Sequence, residues 1–272
     1  MANELAVQKY ITNESVQSRA ADLLQDRAKQ FTTSLLSVVN SNSMIARCKP
    51  ETVFNAALTA ASMDLPINQN FGFAAMVPYK NRAGEYEAQF QMMTRGYIQL
   101  AQRSSQYKTI SCTPVFRNQL KSIDPLRGFV FDWDFKPRGS LVGYAAYFEL
   151  INGFEKTLYM TIAEVDKHAR RYSSAYKEDL RTKSTRSLWT NDFDKMALKT
   201  VLKMLISKYG PLSVQMQRAL EVDQAIITDE GLHYVDNVDD EAATDEEKQA
   251  IINAAKQPAK EDKDVPVPTE KS

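Results

Sequence analysis

The stretch LVGYAAYFELINGFEKTLYMTI, Leu141–Ile162, holds two apolar, aromatic and β-branched runs on either side of Asn152-Gly153. Asn-Gly between such runs is a hairpin signal, because both residues tolerate the positive φ that a tight turn demands. Working outward, TISCTPVF (Thr109–Phe116) and FVFDWDF (Phe129–Phe135) read as further strands. AAMVPYKNRAGEYEAQFQM (Ala74–Met92) reads as a second hairpin around Asn81-Arg82-Ala83-Gly84. These strands follow one another without an intervening helix of βαβ type, so the expectation is an α+β fold with a central, mainly antiparallel sheet.

Helical patterns bracket the strands. Before Arg47, Leu23, Leu24, Ala28, Phe31, Leu35, Val38 and Val39 recur at the spacing of amphipathic helices. Pro50 opens a further helix over ETVFNAALTAASMDL and Pro66 closes it. TRGYIQLAQRSS predicts about three helical turns with Tyr97, Leu100 and Ala101 on one face. From Ala163 the pattern is helical again and includes a long basic helix, DFDKMALKTVLKML. Apolar periodicity fades at about Ile226, so the reading is N-terminal helices over 1–47, a core over 48–225 and an acidic, largely disordered tail over 226–272. Within that tail DEEKQAIINAAKQ could form a short helix.

Formal net charge is zero, with 34 bases and 34 acids, but the distribution is uneven. From Glu221 onward there are 15 acids and 5 bases; the first 220 residues hold 29 bases and 19 acids. A basic body with an acidic tail points to nucleic acid. A membrane partner fits poorly: no apolar run approaches the roughly 20 residues of a spanning helix, and MANELAVQKYITNESVQ lacks the character of a signal peptide. Cys48 and Cys112 have no metal or redox spacing and read as free thiols in a reducing cytosol. His168 and His233 are too few for a His-based zinc site.

The positive charge concentrates between Lys167 and Lys208, where eleven bases meet four acids. KHARRYSSAYK supplies Arg170, Arg171 and Lys177, and Lys183 and Arg186 follow. Lys195, Lys199 and Lys203 recur at i, i+4 and i+8, a single stripe about 6 Å apart along a helix axis. Such a stripe is either a solvated face or a track for phosphates. Tyr172, Tyr176 and Trp189 interleave with these charges. Their rings either join the core or stack on bases of a single strand, and the combination with Lys and Arg favours single-stranded nucleic acid.

Enzymatic alternatives have thinner support. No G-x-x-x-x-G-K-[ST] loop occurs, which argues against ATP-driven strand exchange. A metal-dependent nuclease would use Asp132 and Asp134, or Glu85 and Glu87, pairs that share a strand face. In the competing reading Phe131, Trp133 and Phe135 face the core while the acids face water. A coating protein that binds single strands without annealing them is a third reading.

Asp64–Phe116 resembles the core of the RecT family of phage single-strand annealing proteins, through its Pro-Asn element, the V-P-Y-K-N hairpin and the helix G-x-x-x-L-A-x-R-S. The likeness resumes at WTNDFDKMALKTVLKMLISKYGPLS, Trp189–Ser213. Where the family often has G-Y-K-G this chain has Met93-Thr94-Arg95-Gly96, so Arg95 replaces a lysine's charge. The resemblance implies an ATP-independent recombinase of a bacteriophage, acting in the cytoplasm of the bacterial host. It would coat single-stranded DNA exposed by a 5′→3′ exonuclease, anneal it and hold the annealed duplex DNA in rings or helical filaments as a homo-oligomer. A host single-strand-binding protein is an implied partner. No cofactor is implied, and a divalent metal would at most modulate DNA binding. Arg95 and Arg103 from the central helix, with Lys108, Arg117 and Lys121 after it, would join the stripe and the Arg-rich helix in lining the DNA groove.

Overall fold

A computed structural model describes residues 2–81, 83–124, 128–133 and 136–234. The Asn-Gly hairpin is present as β6 (Leu141–Leu150) and β7 (Glu155–Thr161), in antiparallel register from Gly143 opposite Thr161 to Glu149 opposite Glu155. Gly153 adopts φ +85° in the turn, a conformation that L side chains rarely reach. β3 (Tyr107–Phe116) pairs antiparallel with the other edge of β6, giving a sheet ordered β3-β6-β7.

The expected hairpin at Asn81 joins β1 (Ala74–Lys80) to β2 (Tyr86–Met92); Arg82 lies outside the described residues. This pair belongs to a second sheet, β1-β2-β8-β9, completed by β8 (Ala225–Thr228) and β9 (Gly231–Tyr234). A third element, β4 (Leu120–Asp124) with β5 (Gly128–Phe131), is a two-stranded ribbon. The fold is α+β and its ladders are antiparallel, as expected, but the single central sheet resolves into these three.

Ten α-helices are described: α1 (Ala2–Ile11), α2 (Glu14–Leu24), α3 (Ala28–Ser41), α4 (Pro50–Ser62), α5 (Thr94–Arg103), α6 (Ile162–Tyr172), α7 (Ser174–Thr182), α8 (Leu188–Asn191), α9 (Phe193–Tyr209) and α10 (Val214–Val222). Alanines at 56, 57 and 60 let α4 lie close against β2 and β8, while Val53, Phe54 and Leu58 fill the gaps. Phe31, Leu35 and Val39 bury one face of α3. Leu24 is buried, but Leu23, expected with it on the apolar face, is 58% exposed because α2 turns only its Val16-Ala20-Leu24 edge inward.

α5 connects the two larger sheets and buries Tyr97, Leu100 and Ala101. A Cβ on its Gly96 would lie 2.2 Å from the Phe73 carbonyl oxygen, so the close approach of helix to β1 requires glycine there. α9 crosses β3, β6 and β7, burying Ala197, Val201, Leu202, Leu205 and Ile206 against a core that includes Tyr144 and Phe148. At about 1.5–3 kcal/mol per buried large aliphatic side chain, this one face holds the helix on the sheet.

Two sequence expectations need correction. FVFDWDF is a strand only as far as Phe131, and LKSID, too polar to be read as a strand, pairs with it. The folded chain also continues past Ile226: Ile226 and Ile227 are buried in β8, and β9 runs to Tyr234. The remainder of the predicted tail, with its candidate helix, lies outside the described residues. Cys48 and Cys112 are free thiols; burial raises the first to about 12, with help from the Glu87 carboxylate, and the second to about 11.

Candidate nucleic-acid interface

The lysine stripe divides. Lys195 is exposed and bound to Asp192 at 2.7 Å. Lys199, expected at a phosphate, is 6% exposed and reaches Asp223 at 2.9 Å, with Lys203 on the same carboxylate at 2.8 Å. Asp223 follows α10 and is itself buried; it also accepts the Met92 amide at 2.9 Å and the Tyr97 hydroxyl at 3.1 Å. One carboxylate thus ties α9, α5 and β2 together. Burial pushes the Asp223 pKa up, but the charges and hydrogen bonds of Lys199 and Lys203 outweigh it and bring the group to about 2. Burial, followed by the same carboxylate, raises Tyr97 far above its ordinary range.

The aromatic candidates divide too. Tyr176 is buried and donates to Asp166 at 2.8 Å, and Trp189 is buried between Tyr176 and Phe193. Both are core residues in this conformation, because α7 packs on α8 and α8 on α9. Tyr172 remains half-exposed, with the Arg171 guanidinium 5.2 Å above its ring and His168 beside it at 4.6 Å. Burial, followed by the charges of Lys203 and Arg171, lowers the His168 pKa.

Several predicted cations have carboxylate partners. Arg170 binds Asp166 at 2.6 Å, Lys108 binds Glu149 at 2.7 Å, and Arg103 binds Asp64 at 3.2 Å while donating to the Met63 and Asp64 carbonyls. Lys121 pairs with Asp132. These exposed pairs are weak, so phosphate can compete for the cations at little cost. Lys177 is exposed on α7. Arg95 lies 4.9 Å over the Phe73 ring and donates to the Phe71 carbonyl oxygen at 2.9 Å.

Arg117, Arg171, Lys183 and Arg186 are exposed and form no direct ion pair with a carboxylate among the described residues. The loop that presents Lys183 and Arg186 is built on buried Asp179. That carboxylate accepts Ser184 Oγ at 2.5 Å, the Arg186 amide at 2.9 Å, and the Ser187 amide and Thr190 Oγ1 at 2.7 Å. Burial opposes its ionisation, yet these bonds hold its pKa far below the usual carboxylate range. Lys183 closes α7 with φ +55°, so the chain turns sharply there.

Lys136 and Arg138 were not singled out from sequence, although KPRGS directly follows the aromatic FVFDWDF run. Both are exposed and have no carboxylate partner among the described residues. Asn118 fastens them beside Arg117: its amide donates to the Lys136 carbonyl and its oxygen accepts the Arg138 amide, each at 3.0 Å. Arg117 in turn donates its backbone amide to Ser140 at 3.0 Å.

Among the described residues, the candidate nuclease carboxylates do not form a metal site. Asp132, expected to face water, turns to Lys121, and its amide donates to Gln119 at 2.8 Å. Trp133, expected in the core, is 52% exposed, because the strand ends at Phe131 and its alternation with it. Asp134 and Phe135 lie outside the described residues. Glu85 and Glu87 share Lys49 at 3.0 and 2.8 Å. Among the described residues no three His, Cys, Asp or Glu side chains converge as a metal site, and no helix is long and apolar enough to cross a membrane.

Comparison with known proteins matches the RecT family over residues 29–250. A relative, the uncharacterized protein YqaK of Bacillus subtilis (strain 168), is 45% identical over 211 residues, covering 77% of this chain and 69% of its own length. On that match, and with the hairpin, the central helix and α9 falling where the resemblance put them, the chain belongs to the RecT family of DNA-binding proteins that anneal single strands in recombination.

Proposed function

We propose that this protein captures single-stranded DNA on exposed cations of its basic body, pairs it with a complementary strand without nucleotide hydrolysis, and retains the annealed product in a ring or helical filament of its own copies. The observation that carries the reading is the set of exposed cations that form no direct ion pair among the described residues, Arg117, Lys136 and Arg138 after β3, Arg171 on α6, and Lys183 and Arg186 between α7 and α8, in a chain of the RecT family. Phosphate contacts carry no sequence information, so complementarity between the strands supplies specificity. The strands would come from a 5′→3′ exonuclease and be shared with a host single-strand-binding protein in the bacterial cytoplasm; neither a cofactor nor ATP enters the scheme.

Linked weak sites on neighbouring subunits gain avidity when one polynucleotide spans them. Two strands that pair within the assembly present twice the phosphate charge along one track, whereas preformed B-form duplex resists bending or unwinding to fit it. Complementary strands added in sequence should therefore form a complex that survives higher salt than one strand or ready-made duplex. Fluorescence anisotropy across a salt titration measures all three. Equal midpoints for sequentially annealed and preformed duplex would reduce the reading to single-strand coating, and shortening of labelled strands in Mg²⁺ would replace it with nuclease activity.

A further inference from the structure

Trp133 is an exposed indole with a rigid backing. Its ring stacks on Phe131 at 4.9 Å between centroids and 23° between planes. Phe131 and Phe129 rest in turn on Tyr159 of β7, at 6.0 and 5.3 Å, and Tyr159 is buried. The ring is thus held by a column of aromatics anchored in a sheet, and a little over half of the residue meets solvent. An unliganded core gains nothing from leaving that much indole in water.

Exposed cations stand on the backbone that is hydrogen-bonded next to this strand end. The segment around Arg117–Lys121 is fastened to residues 132, 136, 138 and 140 by the Asp132 amide on Gln119, the Asn118 clamp on Lys136 and Arg138, and the Arg117 amide on Ser140. A pre-ordered aromatic face next to exposed guanidinium and ammonium groups is the combination that binds single strands, with bases on the ring and phosphates on the cations.

We propose that Trp133 is a base-stacking subsite for single-stranded nucleic acid, with Arg117, Lys136 and Arg138 holding the phosphates on either side of the stacked base. This rests on the single-strand binding proposed above and assigns it a location on the β4–β5 ribbon. Because Phe131 already orders the indole, stacking costs little conformational entropy.

The chain has only two tryptophans, and Trp189 is buried. In the full-length Trp189→Phe protein, oligo(dT) should quench the remaining emission, while an abasic oligomer of equal length and charge should not. Trp133→Ala should weaken oligo(dT) binding by about fivefold to a hundredfold. It should leave abasic binding and the salt slope unchanged, and Trp133→Phe should recover part of the loss. Arg117→Ala should instead lower the slope by about 0.7 on both oligomers.

Wild-type oligo(dT) affinity in Trp133→Ala, with Trp133 emission unquenched in Trp189→Phe, overturns the subsite and leaves single-strand binding standing. No binding of either oligomer by the parent protein overturns both. A change in sedimentation of DNA-free Trp133→Ala, with oligo(dT) affinity per subunit unaltered, would identify the ring as a subunit contact and also overturn the subsite.

Discussion

Lys199 and Lys203 stand one helical turn apart, and a single carboxylate decides what they can do. Asp223 pairs with both within a buried network, so replacing it leaves charge without a counterion in the core. Asp223→Ala should destabilise the protein by about 3–5 kcal/mol in chemical denaturation, the usual cost of breaking a buried pair. Lys203→Ala, on a side chain that reaches solvent, should cost distinctly less. The pKa of Asp223 is depressed in the folded state to about 2, below the unfolded value near 3.9. Its contribution is therefore complete above about pH 4 and is lost as pH falls toward 2, on the order of 2 kcal/mol in all. Denaturation midpoints between pH 5 and 2 should fall less steeply in Asp223→Asn. At this scale the sequence was only partly legible. The i, i+4, i+8 spacing of the lysines is plain, but their acidic partner lies 20 to 24 residues away, and only the fold brings it under the helix. For the same reason Tyr176 and Trp189, rings amid charge, could not be told from surface rings, whereas Trp133 became exposed through the ending of a strand.

Among elements, those with strong periodicity were the ones that could be read. β6 and β7 alternate around Asn152-Gly153, and α5 and α9 repeat apolar residues at helical spacing, so local pattern and tertiary burial agree. β4 could not be found that way: LKSID has only Leu120 and Ile123 as apolar residues, without alternation, and its strand exists because β5 supplies the facing backbone. β8 and β9 are too short to carry a pattern, and their strand state depends on β2, more than 130 residues earlier. The loop from Lys183 to Ser187 is a similar case, since its shape comes from bonds to Asp179. Asp179→Ala removes the acceptor from two backbone amides and two hydroxyls, and unmet buried groups of this kind cost about 1–3 kcal/mol each. The variant should melt at a lower temperature than wild type. Where it remains folded it should bind single-stranded DNA with a smaller salt slope, because Lys183 and Arg186 lose a fixed position. An unchanged slope would remove this loop from the DNA track.

At the scale of the molecule, opposite charge is separated along the chain, and the decisive question is where the folded body stops. Composition placed the end near Ile226, where apolar periodicity fades and acids outnumber bases. Packing places it later. Ile226 and Ile227 are buried, the Ile227 carbonyl accepts from Asn55 at 3.2 Å, and Asp229 binds Arg19 at 2.9 Å while its amide donates to Glu51. β8 therefore covers the edge of β2 and closes the sheet over α4. A chain ending at Gln224 would expose that edge and strand the Asn55 amide, adding the cost of two lost isoleucines, about 1.5–3 kcal/mol each, to an open strand prone to pairing with other chains. A chain ending at Tyr234 keeps all of these contacts and sheds 11 acids against 5 bases, which removes charge that repels DNA. The expected result is that the Gln224 truncation aggregates or melts well below the full chain. The Tyr234 truncation should retain its melting temperature, anneal naked complementary strands, and bind single-stranded DNA at least as tightly at low salt. Loss of annealing in the folded Tyr234 truncation would mean that residues after 234 take part in the DNA or subunit contacts themselves.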